Sequence, residues 1–406
     1  MEKLKIVIIG GGAAGLVLAN ILAERGVKGV VVLERGERVG KKLSATGNGQ
    51  GNITNLRAGE TDGYFSSEPN LSARLSGLLQ DYGVKEFEAF WARRGVILSF
   101  DERGRAYPSG RQGSALTDAL RFYANEKGVE LRTGARVDGI KKHRDGFVIE
   151  YEREGERYTC QAEKVAVCTG GKSAKNFGTD GSAYGLVKGL GHTLTPLYPS
   201  LVQLKTETAM IKTLKGIRVV NGSLTAYAPS GVYTTRGDII FTDYGVSGDA
   251  VFRVSAFVTS ELDSGRVRLA LDFLPEVCEE KVYDALLKKR LAYPTISDSE
   301  LLLGIVNNQI GRSVMKAAAG DIKKAAELVK AFPLTVTGCL GFDYAQVTKG
   351  GVPLDETDDG FESRLAQGLY FAGEVLDVDG QCGGFNLHFA YASASAVAER
   401  IIRGQV

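Results

Sequence analysis

The stretch Lys5-Ile6-Val7-Ile8-Ile9-Gly10-Gly11-Gly12-Ala13-Ala14-Gly15-Leu16-Val17-Leu18-Ala19-Asn20-Ile21-Leu22-Ala23 decides the fold class. Its first five residues are largely β-branched and apolar, the pattern of a strand covered on both faces, which parallel sheets require. Over residues 13–25 the apolar positions Leu16, Val17, Ala19, Ile21, Leu22 and Ala23 recur at helical spacing, and Gly26 supplies a stop. Residues 29–33 read as a second buried strand. Strand, helix and strand in such a short span predict a βαβ unit with a right-handed crossover. Gly10-x-Gly12-x-x-Gly15 lies between the first strand and the helix, and Glu34 closes the second strand. Gly10 allows the sharp turn, Gly12 lets backbone approach a pyrophosphate, and Gly15 permits close packing of helix on sheet. The helix N-terminus at Ala13 and Ala14 offers unpaired N–H donors and a partial positive charge to phosphates. Glu34 suits the hydroxyls of an adenosine ribose, and its charge repels a 2′-phosphate, which disfavours NADP at this seat. A glycine turn that merely packs is the alternative, and the joint presence of strand, helix and distal carboxylate weighs against it.

Residues 6–23 carry no charge, as a signal peptide or a membrane span would. The glycines at 10, 11, 12 and 15, with Asn20 behind them, read instead as strand, turn and helix. A chain of 406 residues is long enough for two or three domains. Fifty Lys plus Arg against 48 Asp plus Glu leave a net charge of +2, so no strong field exists to recruit nucleic acid or an anionic membrane. A hydrophobic share of 44% and a charged share of 24% exclude a disordered, fibrous or multi-span membrane protein. Glycine is the outlier, with 52 residues against only nine prolines, so backbone must approach something closely in many places. Cys160, Cys168, Cys278, Cys339 and Cys382 form no C-x-x-C pair and no disulfide framework, which fits a reducing cytoplasm. His143, His192 and His388 lie far apart in sequence, and no metal site is expected.

Residues 35–61 are glycine-rich without periodicity and read as a long functional loop. Helical patterns follow over 71–95 and 114–127, then a parallel strand at 129–132. Antiparallel hairpin strands are predicted at 136–142, 147–152 and 156–161, with turns at Arg144-Asp145-Gly146 and Gly155. Residues 164–168 form a further strand that runs into the tight turn Thr169-Gly170-Gly171. Short alternating segments at 201–205, 217–220, 223–227, 238–241 and 266–271 predict a β-rich insert, and 279–328 reads as several short helices. A buried strand at 368–372 and an amphipathic helix at 385–402 return the chain to the first sheet. The expected division is 1–192 and 333–406 as two parts of one dinucleotide-binding domain, 193–275 as an inserted β-rich domain and 276–332 as a small helical segment.

FAD and NAD both satisfy the N-terminal pattern, and the C-terminal end of the chain chooses between them. Residues 368–374 are a strand ending in Gly373 and the acid Glu374, and Asp379-Gly380-Gln381-Cys382-Gly383-Gly384-Phe385-Asn386 opens the last helix. A carboxylate at a strand end suits ribityl hydroxyls, which only a flavin nucleotide carries. A helix N-terminus aimed at the flavin N1–C2 carbonyl region stabilises negative charge that reduction develops there. Taken alone, the same residues would make a capped strand and an ordinary surface helix.

Residues 40–55, GKKLSATGNGQGNITN, resemble the signature loop of the BaiN-type flavoproteins, a family that also includes aminoacetone oxidases. Gly104-Arg105-Ala106-Tyr107-Pro108, Cys168-Thr169-Gly170-Gly171, residues 241–248, Lys349-Gly350-Gly351-Val352 and residues 373–386 are similar as well, so the resemblance spans the chain. It implies an α/β fold: a glutathione-reductase-like FAD-binding Rossmann domain, discontinuous, with an inserted β-rich domain and a small helical segment. Two departures stand out. Gln50 and Gly51 replace an arginine and a cysteine usual in relatives, and Asp249 stands where relatives carry proline. Family chemistry resting on that cation or thiol loses its support here.

The expected cofactor contacts are Gly10, Gly12, Ala13, Ala14, Gly15, Glu34 and Arg35 at the adenosine and pyrophosphate end. Lys42, Thr46, Gly47, Asn48 and Gly49 belong to the signature loop, followed by Val137 and by Thr169, Gly170 and Gly171. Gly373, Glu374, Asp379, Gly383, Gly384, Phe385 and Asn386 complete the flavin end. Lys41 and Lys42 are candidates for neutralising a phosphate or the flavin carbonyl, with two solvent-facing lysines as the bland alternative. On the substrate side the resemblance suggests Thr242 and Tyr244, against a domain hinge, and His388 is a third candidate, against a structural histidine. No catalytic base is assigned. Cys168 reads as a buried strand residue, and Cys382 as a small packing residue, with a reactive thiol as the alternative. With no second G-x-G-x-x-G and no redox cysteine pair, the expected activity is that of an FAD-dependent oxidoreductase. Hydride would pass between a small organic substrate and flavin N5, with NAD(P)H as a transient reductant. An amine or amino-ketone oxidase using O₂ is the alternative direction, and a flavin-binding module in tRNA modification or regulation is the alternative class. No nucleic acid or membrane partner is expected, and the expected location is the cytoplasm.

Overall fold

The computed structural model describes residues 1–404. Two compact units emerge: Met1–Tyr198 together with the chain from Val347 on, and Pro199–Gln346.

The first unit is built on a seven-stranded sheet. Strands β1 (Glu2–Ile9), β2 (Val30–Leu33), β3 (Glu130–Arg132), β4 (Arg136–His143), β5 (Gly146–Arg153) and β6 (Glu156–Val167) lie in the order β3-β2-β1-β6-β5-β4, and Leu369–Phe371 also pairs with β6. β1 runs parallel to β2, with Ile9 opposite Leu33, and parallel to β6, with Ile9 opposite Val167. Ile6, Val7 and Ile8 are fully buried, as the uninterrupted β-branched run requires. Each such side chain stabilises the fold by roughly 1.5–3 kcal/mol.

Where two strands were expected at 156–161 and 164–168, the structure has one. β6 pairs antiparallel with β5 up to Ala162, opposite Phe147, then parallel with Leu369–Phe371 from Val165 on, while β1 follows its other edge from Cys160. No turn residue interrupts Ala162-Glu163-Lys164, so nothing breaks the extended backbone where the neighbours change.

Helix α1 (Ala13–Glu24) follows β1 as predicted. The supposed structureless loop contains α2 (Lys41–Ala45) and the two-residue strand Thr54–Asn55. The helical pattern over 71–95 divides at Tyr82-Gly83 into α3 (Leu71–Asp81) and α4 (Val84–Ala92), and α5 (Gly113–Glu126) comes next. The C-terminal helix, Phe385–Arg403, is buried nearly all round from His388 to Ala398 rather than amphipathic. Its small residues Ala390, Ala392, Ala394 and Ala396 let neighbouring elements, α1 among them, approach closely. Asn20, fully buried in α1, donates to Leu16 O and Leu120 O and accepts from Arg94 Nε. Its amide is thus satisfied inside the core.

His192, Glu356 and Ser363 form a buried chain in this unit. His192 Nδ1 lies 2.6 Å from Glu356 Oε2, and its Nε2 lies 2.7 Å from Ser363 Oγ. The order is that of a hydrolytic triad. However, Ser363 Oγ also accepts the N–H groups of Leu365 and Ala366, and Ser363 is only 5% exposed. With both lone pairs engaged and no access, the serine is a staple and not a nucleophile. His192→Ala is expected to lower the unfolding free energy by about 1–2 kcal/mol, since the buried Ser363 hydroxyl loses its acceptor and a fully buried ring is removed, while Glu356 keeps Thr193. Urea unfolding measures this, and an unchanged midpoint would contradict it.

The second unit is a closed barrel. Its strands are β7 (Leu204–Thr206), β8 (Arg218–Ala228), β9 (Gly231–Phe241), β10 (Gly245–Ser247), β11 (Arg268–Asp272) and β12 (Phe332–Cys339), in the order β7-β10-β9-β8-β11-β12, with β12 closing on β7. β12 therefore belongs to the barrel, and the units divide at 198/199 and 346/347 rather than at 192/193 and 332/333. The segments expected at 217–220 and 223–227 merge into β8 across an irregularity between Val219 and Gly222.

The β-rich reading missed α6 (Asp249–Glu261), whose Ala250, Val251, Val254 and Val258 join the barrel core. Asp249, the residue found in place of proline, opens that helix and pairs with Arg253 at 3.0 Å, a favourable position for a carboxylate. Helices α7 (Glu279–Ala292), α8 (Asn308–Ala318) and α9 (Ile322–Lys330) share the barrel's hydrophobic cluster, so the expected helical segment is not a separate body.

Candidate dinucleotide site

The three glycines of the N-terminal turn differ in what surrounds them. Gly10 has φ +100°, and a Cβ there would stand 2.5 Å from Cys168 O. At Gly15 a Cβ would stand 1.9 Å from Gly10 O, whereas at Gly12 it would meet nothing within 4 Å. The protein's own packing demands the first and third glycines. The second faces open space. α1 has no side-chain cap and no acid in its first turn, and its first helical bond runs from Leu16 N–H to Gly12 O. The preceding N–H groups make no helical bond and are available to a ligand.

Glu34 accepts Gly11 N–H at Oε2 and Gly36 N–H at Oε1, each at 2.7 Å, and each oxygen keeps a second lone pair. Arg35 is held by Asp180 at 2.9 Å, by Ser182 and by Gly178 O. Burial works to raise the Asp180 carboxyl, but Arg35 and Ser182 prevail and bring it down to about 2. Asp180 was not anticipated from the sequence.

The other end of the chain meets the same turn. Gly373 has φ +76°, and its Cβ would lie 2.9 Å from Ala14 Cβ, in the first turn of α1. Glu374 Oε2 pairs with Lys42 Nζ at 2.8 Å, and Oε1 accepts Thr348 N–H at 2.9 Å. A Cβ on Gly171 would come within 2.5 Å of Thr348 Oγ1 and 2.8 Å of Glu374 Oε1. Gly170 adopts φ +71°, and among the described residues the buried Thr169 Oγ1 has no hydrogen-bond partner. Residues 10–15, 169–171, 373–374 and Lys42 thus form one cluster. Nothing in the local sequence beside Lys349-Gly350-Gly351 marks Thr348 as a partner of Glu374.

Thr46 Oγ1 donates to Leu43 O at the end of α2, and Gly47, Asn48 and Gly49 follow, exposed, at φ +58°, +55° and +83°. At Gly51, with φ +80°, a Cβ would meet Leu116 Cδ1 at 2.9 Å and Gly113 Cα at 3.0 Å, so a side chain there would be strained and tightly packed. Gly384 (φ +107°) would press its Cβ within 2.4 Å of Thr54 O, and the C-terminal helix starts there without a side-chain cap or an early acid. Asn386 uses both ends of its amide on Gly380, at 2.8 and 2.7 Å, which closes the 380–386 loop. Phe385 is buried edge-on to Tyr64, Asp379 is fully buried, Gly383 lies near Arg105, and Val137 is half-buried on β4.

Thr242 and Tyr244 lie in the second unit. There Thr242 N–H donates to Gly245 O, Gly245 N–H donates to Thr242 Oγ1, and Asp243 pairs with Lys215. His388 is corrected from the substrate side to the core. It is fully buried, 2.8 Å from Thr54 Oγ1 and packed against Phe87 and Tyr391. Burial pushes its pKa down to about 4, against a smaller opposing effect of the Tyr82 backbone. The unfolded chain therefore takes up this proton first. The stability contributed is full above about pH 6.5 and falls as pH drops toward 4, by about 3 kcal/mol in all. In urea unfolding at pH 7 and pH 4.5, His388→Gln should lose this part of the pH slope. A parent and variant with equal slopes would contradict the assignment. Burial also raises Cys168 to about 12 and Cys160 to about 11, so neither supplies a thiolate.

This donor set fits a dinucleotide: open space before Gly12, an uncapped helix turn, a ribose-type carboxylate at Glu34 and a second carboxylate at Glu374. Over residues 4–400 the sequence matches the family described as HI0933-like protein Rossmann domain. The chain belongs to this HI0933-like family. Of the curated relatives, the 3-dehydro-bile acid delta(4,6)-reductase of Clostridium scindens is 34% identical over 98% of this chain and 99% of its own length. The ribosomal RNA dihydrouridine synthase of Escherichia coli is 26% identical over 99% of both chains. Among solved structures, the 3-ketosteroid-delta4-(5alpha)-dehydrogenase from Rhodococcus jostii RHA1 is 16% identical, covers 98% of this chain and 96% of that chain, and has a TM-score of 0.52, which bears on the fold alone. The resemblance to BaiN-type flavoproteins therefore holds, and this HI0933-like chain is an enzyme of the oxidoreductase class with a Rossmann-type domain. Among its described residues no helix is long and apolar enough to cross a membrane.

Proposed function

We propose that this HI0933-like protein reduces a carbon–carbon double bond conjugated to a carbonyl group, with NAD(P)H as a transient hydride source. The observation that carries the reading is the meeting of Gly373-Glu374 with the first turn of α1, which offers one seat to both halves of FAD. The substrate class is supported by chemistry common to the relatives' names. A 3-oxo steroid unsaturated at positions 4 and 6 and the uracil ring of uridine each present an alkene made electron-poor by an adjacent carbonyl.

When bound, FAD supplies a two-electron carrier between nicotinamide and such an alkene. The first-turn N–H groups of α1 would hold its pyrophosphate, and the free lone pairs of Glu34 would accept its adenosine ribose hydroxyls. Glu374 would accept ribityl hydroxyls, and the uncapped N-terminus of the C-terminal helix would favour negative charge on the reduced flavin. Gly10, Gly15 and Gly384 lie where a Cβ would collide with neighbouring backbone, so glycine lets these segments pack closely around the seat.

Anaerobic mixing of the flavin-loaded protein with NADH and NADPH tests the direction of electron flow. The expected result is bleaching of the flavin band by one nicotinamide and its return on adding a conjugated enone. Bleaching only by an amine would replace this reading with the oxidase. An RNA substrate is favoured by the dihydrouridine synthase relative and opposed by the net charge of +2. Return of colour with uridine-containing RNA and not with enones would decide for it.

A further inference from the structure

We propose that Lys42 is the counter-ion that allows the Glu374 carboxylate to stand inside the dinucleotide seat, so that its contribution to cofactor affinity depends on Glu374. The inference rests on the reading that FAD occupies this seat. Glu374 cannot easily turn away. Thr348 N–H holds Oε1, and Gly373, the residue before it, is wedged against Ala14 in the phosphate-binding turn. A pyrophosphate at that turn brings negative charge beside a fixed carboxylate, and like charges at close range disfavour binding.

Lys42 answers this from 332 positions away in the chain, at 2.8 Å, with both partners largely shielded from solvent at 25% and 17% side-chain exposure. Partial burial is what gives such a pair weight, since an exposed pair is screened. Arg35 cannot take the part, because Asp180, Ser182 and Gly178 already hold it. Lys41 is exposed on the adjacent position of α2. Lys42 is thus a positioning residue: it neutralises and orients the acid that faces the cofactor.

The test is a double-mutant cycle on FAD affinity, with protein stripped of cofactor and titrated by quenching of flavin fluorescence. Lys42→Met keeps the packing of the stem and removes the charge. It is expected to weaken FAD binding tenfold or more in the parent background and less than threefold in a Glu374→Gln background. Lys42→Arg should restore most of the affinity. An unchanged affinity for Lys42→Met overturns the proposal. So does an equal loss in both backgrounds, which would make Lys42 a direct phosphate ligand indifferent to Glu374. Thermal melts of the stripped proteins guard against misfolding as the cause. If the parent itself takes up no FAD, the reading of the seat fails as a whole; parent binding with an uncoupled Lys42 sinks this inference alone.

Discussion

Gly15→Ala is expected to yield a protein at least about 3 kcal/mol less stable than the parent and unable to retain flavin. The sign is the reverse of the usual one. Inside an α-helix, exchanging glycine for alanine normally stabilises by roughly 1 kcal/mol, because alanine loses less backbone entropy on folding. Here the added methyl would lie 1.9 Å from Gly10 O. That oxygen belongs to a backbone that cannot retreat. Gly10 N–H is bonded to Leu33 O at 2.8 Å, which ties that backbone to the sheet. Relief requires α1 to shift off the sheet, which breaks the packing of Leu16, Leu18 and Leu22. Urea unfolding and the absorbance of the purified protein measure both effects. A Gly15→Ala protein as stable as the parent would refute the close approach.

Gly12→Val separates binding from folding. Gly12 has φ −80° and ψ −165°, an extended conformation, and among the described residues nothing beyond its own chain neighbours lies within 4 Å of its Cβ position. The variant is expected to unfold within about 1 kcal/mol of the parent. Its affinity for FAD should nonetheless fall by a factor of about 100 or more, because the new side chain fills the space before the uncapped helix turn where phosphate oxygens must come. Calorimetric titration with FAD reads the loss. Retention of parent affinity would mean that no phosphate sits against Gly12, and the dinucleotide seat would have to lie elsewhere. Two glycines three positions apart thus carry opposite expectations, one for stability and one for binding.

Much of this site could be read from local pattern. The turn at 10–15, the acid at Glu34 and the glycine-then-acid end of the C-terminal strand all depend on rules that act over a few residues. Other errors trace to the limits of such rules. Alternation suggested strands throughout 193–272, yet Asp249–Glu261 folds as a helix because Ala250, Val251, Val254 and Val258 can line one face as well as alternate loosely. His388 suggested chemistry because histidine is versatile and sits near the flavin end. Only the surrounding Phe87, Thr54 and Tyr391 reveal a buried, neutral ring.

The amino-acid sequence by itself determined the opening βαβ unit and a phosphate-binding turn, because glycine conformation, β-branching and helical spacing act within some thirty neighbouring residues. It also determined that a carboxylate would follow each of two buried strands. Tertiary structure alone decided that Glu374 meets Lys42, that β6 exchanges one neighbour for another midway, and that Phe332–Cys339 closes the barrel. The reason is that apolar periodicity tells which face of an element must be covered, while the identity of the covering surface depends on how distant segments compete to bury one another.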